Sequence, residues 1–207
     1  MSRKQSHGKG YRLIIRYLGI TSILVGVALL LPLLLLPLYP QEAVYAKCFL
    51  IPGIPAVTAG YLVYRFLKED AGGRLKKNQA AMIVTLSWAL AILVSAVPFM
   101  MTGKYNFTQS VFECTSGYST TGLSVVNVEE APRLFLMFRS IMLFVGGVGL
   151  VLVVMSVITD YYGMRLFEAE GHDQMAPNLG KSARVIISIY SGYIIGGTLL
   201  YMVFGMN

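Results

Sequence analysis

Five apolar runs, Leu13 to Leu38, Cys48 to Leu67, Ala80 to Met101, Leu134 to Ile158 and Val185 to Phe204, constrain this chain more than any single residue does. Each reaches the roughly 20 residues that cross about 30 Å of hydrocarbon at about 1.5 Å per residue. A helix satisfies every backbone N–H and C=O within one segment, as lipid demands. The runs therefore predict an all-α membrane protein with five transmembrane helices. Composition agrees: 56% of the residues are hydrophobic and 13% charged, a balance suited to a chain whose solvent is largely lipid. The first run begins like a secretory signal, but its apolar part far exceeds the roughly 7 to 15 residues of one, and no small-x-small cleavage pattern precedes Pro40 and Gln41. It reads as a retained helix whose far end Pro32 and Pro37 kink or fray.

Basic residues set the expected orientation. Arg3, Lys4, Lys9, Arg12 and Arg16 lie before or at the edge of the first run; Arg65, Lys68, Arg74, Lys76 and Lys77 join the second to the third; Arg165, Lys181 and Arg184 join the fourth to the fifth. The alternate connections hold Lys47, then Lys104 and Arg133, with Arg139 just inside the fourth run. By the positive-inside rule the N-terminus is cytoplasmic and the C-terminus external, in the cytoplasmic (inner) membrane. The net charge of +7 is then mostly a topology signal, and nucleic acid is not an expected partner; the lipid bilayer is.

This orientation places Thr102 to Arg133 outside, in a connection too long and too apolar for a simple tether. It is expected to re-enter the membrane. Asn106 or Thr108 can cap a short helix in which Phe107, Val111 and Tyr118 recur at near-helical spacing, with Gly117 as its stop. About ten residues are too few to cross, so this helix dips in and returns. Its carboxyl end carries a partial negative charge that favours a cation. Beyond it, Ser119, Thr120, Thr121, Gly122 and Leu123 can run as an extended filter strand with carbonyl oxygens turned to one side. Such oxygens replace the water shell of a potassium ion without a fixed charge that would hold it too tightly, with Thr120, Thr121, Gly122 and Leu123 as the metal-coordinating set. Gly122 supplies backbone freedom. The bland reading is an ordinary external turn, which these residue types favour anywhere.

Arg139 lies about six residues into the fourth run, where a cation is expensive unless it is paired or near enough to the interface to snorkel. Glu113, on the short helix, is the expected partner. The two then brace the short helix against the fourth run, a structural role separate from ion coordination.

Phe112-Glu113-x-x-Ser116-Gly117-Tyr118-Ser119-Thr120-Thr121-Gly122 after a spanning helix, followed by Phe138-Arg139-Ser140 and Gly146-Gly147-Val148-Gly149 in the next, resembles the first pore repeat of the Trk/Ktr potassium-uptake family. That resemblance implies four helix-pore-helix repeats in one chain, each contributing one filter strand with a glycine, and two extra leading helices that correspond here to the runs from Leu13 and Cys48. Leu166-Phe167-Glu168-Ala169-Glu170, Ala176-Pro177-Asn178-Leu179 and Ser182-Ala183-Arg184 are similar to the family's link between the first two repeats. The expected layout is thus leading helices over 1–78, a first repeat over 79–160, a cytoplasmic link over 161–184 and the first helix of an incomplete second repeat over 185–207. With one filter strand of four, the chain is expected to be a truncated or partial transporter that does not form the pore alone. It would be completed by the remaining repeats or a second protomer; four identical copies are disfavoured by the odd helix. The resemblance also implies a cytoplasmic nucleotide-binding regulatory subunit, which 161–184 and Arg74-Leu75-Lys76-Lys77 can meet, although topology alone explains the basic turn.

Catalysis finds little support. His7 and His172 lack the helix-spaced partner of a zinc site, Gly117-Tyr118-Ser119 lacks the glycine that completes a nucleophile elbow, and Cys48 and Cys114 show no metal spacing and read as small apolar fillers. No cofactor is expected beyond potassium as transported substrate. Gly146, Gly147 and Gly149, and the pair Gly196-Gly197, read as close helix packing because no strand precedes them. The competing class is a non-transporting membrane scaffold or assembly protein whose external loop is a contact surface.

Overall fold

The computed structural model describes residues 2–67, 77–149 and 179–205. Six α-helices account for most of them: α1 Ser2–Leu30, α2 Ala46–Phe66, α3 Lys77–Met101, α4 Phe107–Tyr118, α5 over 133–149 and α6 Leu179–Val203. No strand occurs among the described residues. Four segments are long and apolar enough to cross a membrane: Tyr11–Leu35, Pro40–Phe66, Ala81–Met101 and Arg184–Val203. The remaining expected span is helical over 133–149, and its continuation over 150–158 lies outside the described residues. The expected link over 161–184 also lies outside them up to residue 178, and its last residues already belong to α6.

Two compact units make up the chain. The first comprises Met1–Gly117 with Thr121–Met142. Here α1 and α2 pack through glycine. A Cβ on Gly26 would lie 2.8 Å from the Val57 nitrogen and 2.9 Å from the Gly53 oxygen, and one on Gly19 would lie 3.1 Å from the Gly60 oxygen. These neighbours are backbone and cannot swing aside. In lipid, apolar side chains gain little by leaving their solvent, so close backbone approach and interhelical hydrogen bonds supply the attraction. Ser22 Oγ donates to the Ala56 carbonyl at 2.8 Å, and the hydroxyls of Thr21 and Ser87 join α1 to α3 at 3.0 Å. The helical form of α1 gives way to a 3-10 helix, Leu31–Leu35, at Pro32, whose missing N–H ends the regular ladder. A second 3-10 helix, Pro40–Tyr45, leads into α2.

An aromatic cluster ties α2, α3 and α5. Phe49 sits 4.9 Å from Phe135 and 5.5 Å from Phe138, while Phe99 sits 5.3 Å from Phe135, ring centre to ring centre. Each such pair contributes about 0.5–1.5 kcal/mol beyond area burial. Phe49, Phe99 and Phe138 are fully buried, which makes this the centre of the unit's core.

The second unit comprises Tyr118–Thr120 with Leu143–Asn207. A Cβ on Gly146 would run into the Tyr118 carbonyl, and one on Gly147 would stand 3.0 Å from the Tyr190 ring of α6. Close packing therefore explains these two glycines. It does not explain Gly196 and Gly197, where an added Cβ meets no described atom within 4 Å.

Candidate functional site

The site is built on α4. Asn106 begins it with a reciprocal cap: Gln109 N–H donates to Asn106 Oδ1 at 2.9 Å, and Asn106 N–H donates to Gln109 Oε1 at 3.0 Å. Two otherwise unpaired donors are satisfied at once. The helix then runs past Gly117, its expected stop. It closes two residues beyond Tyr118 with a Thr121 N–H bond to the Ser116 carbonyl, 3.0 Å, around a left-handed Thr120 at φ +58°. This is a Schellman arrangement with threonine where glycine is usual. Thr120 is the one non-glycine residue with positive φ among the described residues, a costly setting for a β-branched side chain. Gly117 serves packing instead: a Cβ there would meet the Met142 Cβ of α5 at 3.2 Å.

Beyond the cap, Ser119 and Thr120 form a turn, and 121–124 carry no regular structure. The expected extended strand is replaced by an irregular backbone in which positive φ recurs at Thr120 and at Gly122, +79°, with ordinary φ between them. A Cβ on Gly122 would meet nothing within 4 Å, so backbone conformation alone calls for glycine. Ser116 Oγ donates to the Leu123 carbonyl at 2.6 Å, fastening the far end of the segment to α4.

Glu113 and Arg139 come together. Arg139 Nε donates to Glu113 Oε1 at 2.9 Å, with the glutamate side chain 2% exposed and the arginine 14%. The carboxylate also accepts from Ser124 Oγ at 3.1 and 3.0 Å and from the Val125 N–H at 3.0 Å. One buried charge therefore gathers α4, α5 and the chain just past Gly122. A cation and three further bonds offset the desolvation that an ion pair in this setting costs. Nearby Tyr105 has its phenol pushed up from its ordinary value, first by partial burial and then by the Glu113 carboxylate, with Arg139 opposing. Cys114 and Cys48 are buried and form no disulfide. Among the described residues no three His, Cys, Asp or Glu gather as a metal site would require.

A family model described as TrkH, cation transport protein, matches residues 55–206. The chain belongs to the TrkH family. It is similar to the Trk system potassium uptake protein TrkH of Halomonas elongata, 27% identical over 206 residues that cover 95% of this chain and 42% of that protein. It is likewise similar to the protein of that name from Escherichia coli K12, 27% identical over 190 residues covering 87% and 39%. An uncharacterized cation transporter of Methanocaldococcus jannaschii is 28% identical over 200 residues, 94% and 41%. The fold is that of the crystal structure of the potassium transporter TrkH from Vibrio parahaemolyticus, at a TM-score of 0.78 and 24% identity, over 95% of this chain and 40% of that one. The chain spans about two fifths of the length of the curated relatives it matches.

Several residues that shape this TrkH-family site escaped the sequence reading. Asn106-x-x-Gln109 is a legible capping pattern, and only its first member was singled out. Ser116 and Ser124 look like ordinary helix and loop hydroxyls, because their acceptors are chosen by the return of the chain. Glu42 is the most remote. Its Oε1 and Oε2 accept from the N–H groups of Arg133 and Leu134 at 2.8 and 2.9 Å, across 91 and 92 residues of sequence.

Proposed function

We propose that this chain is the front part of a Trk-type transporter that takes potassium into the cell across the cytoplasmic membrane. The observation that carries the reading is the recurrence of positive φ at Thr120 and Gly122 immediately past the carboxyl end of a twelve-residue helix. In an extended strand successive carbonyls point to opposite sides, whereas reversing φ at every second residue can turn them to one side. Ser119, Thr120, Thr121, Gly122 and Leu123 then offer backbone oxygens to a dehydrated ion, with Leu123 marking the end that Ser116 holds. α4 dips into the membrane without crossing, and its carboxyl-end dipole, about half an electron, favours the cation without fixing it.

Uptake needs no covalent chemistry. A membrane potential contributes about 2.3 kcal/mol per charge per 100 mV, enough for roughly fifty-fold accumulation. One filter segment encloses only one side of an ion, so the remaining sides come from further repeats of the same polypeptide or from a second protomer. The cytoplasmic segments that carry the basic residues face a nucleotide-binding regulatory partner.

The test is growth of a potassium-uptake-deficient cell at limiting potassium, with the chain expressed alone and within its complete reading frame. Growth from the complete frame, together with rubidium uptake that loses its preference over sodium when Gly122→Ala is introduced, is the expected result. A complete frame that never supports growth, or an unchanged preference in Gly122→Ala, refutes the assignment and leaves the scaffold reading.

A further inference from the structure

We infer that Glu42 is a positioning residue for the 119–123 segment, holding it from outside the pore repeat through α5, Arg139 and Glu113. The inference rests on the reading of that segment as the filter. Helix α5 begins after Ala131 and Pro132, neither of which has a side-chain acceptor to cap it, so its first amides need an acceptor from elsewhere. Glu42 supplies one with both oxygens, at 2.8 Å to Arg133 N and 2.9 Å to Leu134 N. A carboxylate at this end also complements the helix dipole.

The contact fixes α5 along its own axis as well as closing its first turn. Tyr45, three residues after Glu42, meets Phe135 edge to face at 5.9 Å, so the same 3-10 helix grips α5 twice. Arg139 lies six residues past Arg133, about 9 Å along a helix that does not stretch. Its Nε reaches Glu113 Oε1 at 2.9 Å, and the Glu113 carboxylate holds Ser124 Oγ and the Val125 amide, two and three residues past Gly122 and its φ of +79°. An axial slip of α5 would pull Arg139 from Glu113 and loosen the far end of the segment. The residues ahead of the pore repeat would thus contribute to selectivity without approaching an ion.

Amide hydrogen exchange of the full chain in lipid nanodiscs tests the link without requiring transport. Glu42→Ala should speed exchange at Arg133 and Leu134 and also, about fivefold, at Val125, while Glu42→Asp should keep most of the Val125 protection. Faster exchange confined to the start of α5 would overturn the inference, because a local cap predicts only that. If Glu42→Ala does not assemble, Glu42→Gln, which retains one acceptor oxygen, carries the same comparison. Within the complete transporter, Glu42→Ala should lower the rubidium-to-sodium uptake ratio about fivefold per molecule in the membrane, and in combination with Ser124→Ala lower it less than the two separate effects predict. An unchanged ratio or strict additivity would refute the role in selectivity. A parent that transports nothing would instead refute the proposed function, and the exchange result would still decide whether Glu42 holds the segment.

Discussion

Thr120 and Glu113 mark the two costs this chain carries at single residues. A β-branched residue at φ +58° stores about 1–3 kcal/mol, part of which glycine would return at the expense of its own backbone entropy. Thr120→Gly is therefore expected to raise the thermal stability of the detergent-solubilised chain by about 1 kcal/mol while relaxing the turn that follows α4. A lowered melting midpoint would show that the threonine side chain contributes more than its strain costs. Glu113→Ala leaves Arg139 charged, buried and without its carboxylate, a loss of about 3–5 kcal/mol. Removing Arg139 as well should recover a substantial part of that, so the double variant ought to be more stable than the sum of the singles implies; additive losses in denaturation would disprove the coupling. The types of these two residues were legible in the sequence, since an acid and a base inside apolar runs are expensive alone. The hydroxyl and amide that complete the carboxylate's shell were not, because Ser124 and Val125 reach it only after the chain turns back at Gly122.

At the level of helices, glycines divide sharply by what faces them. Gly146 meets the Tyr118 backbone carbonyl, which has no rotamer to move into, so Gly146→Ala should abolish correct packing and deplete folded protein in the membrane fraction. Gly192→Ala, where a Cβ meets no described atom within 4 Å, should leave that amount unchanged and gain slightly in helix propensity. Equal behaviour of the two variants, read by detergent-extracted yield and size-exclusion profile, would contradict the packing account. Their sequence contexts look alike, for each lies inside an apolar run. What separates them is the neighbour, and that is a property of the assembled helices.

For the molecule as a whole, the asymmetry of basic residues gives a direct expectation for its placement in the membrane. A reporter active only outside the cytoplasm should work when fused after Ala131 and fail when fused after Asn178; the reverse would overturn the orientation, and with it the side from which the 119–123 segment is reached. The sequence by itself determined the helical class, because stretches of about 20 apolar residues leave lipid few other solutions. It also determined the family, through motifs that are local in the chain. Only the tertiary structure decided that α4 closes at Thr120 rather than Gly117, that Leu123 is tied to Ser116, and that Glu42 caps a helix 91 residues away. Hydrophobic length is written along one segment, whereas a hydrogen bond between distant segments exists only once packing has brought donor and acceptor within about 3 Å.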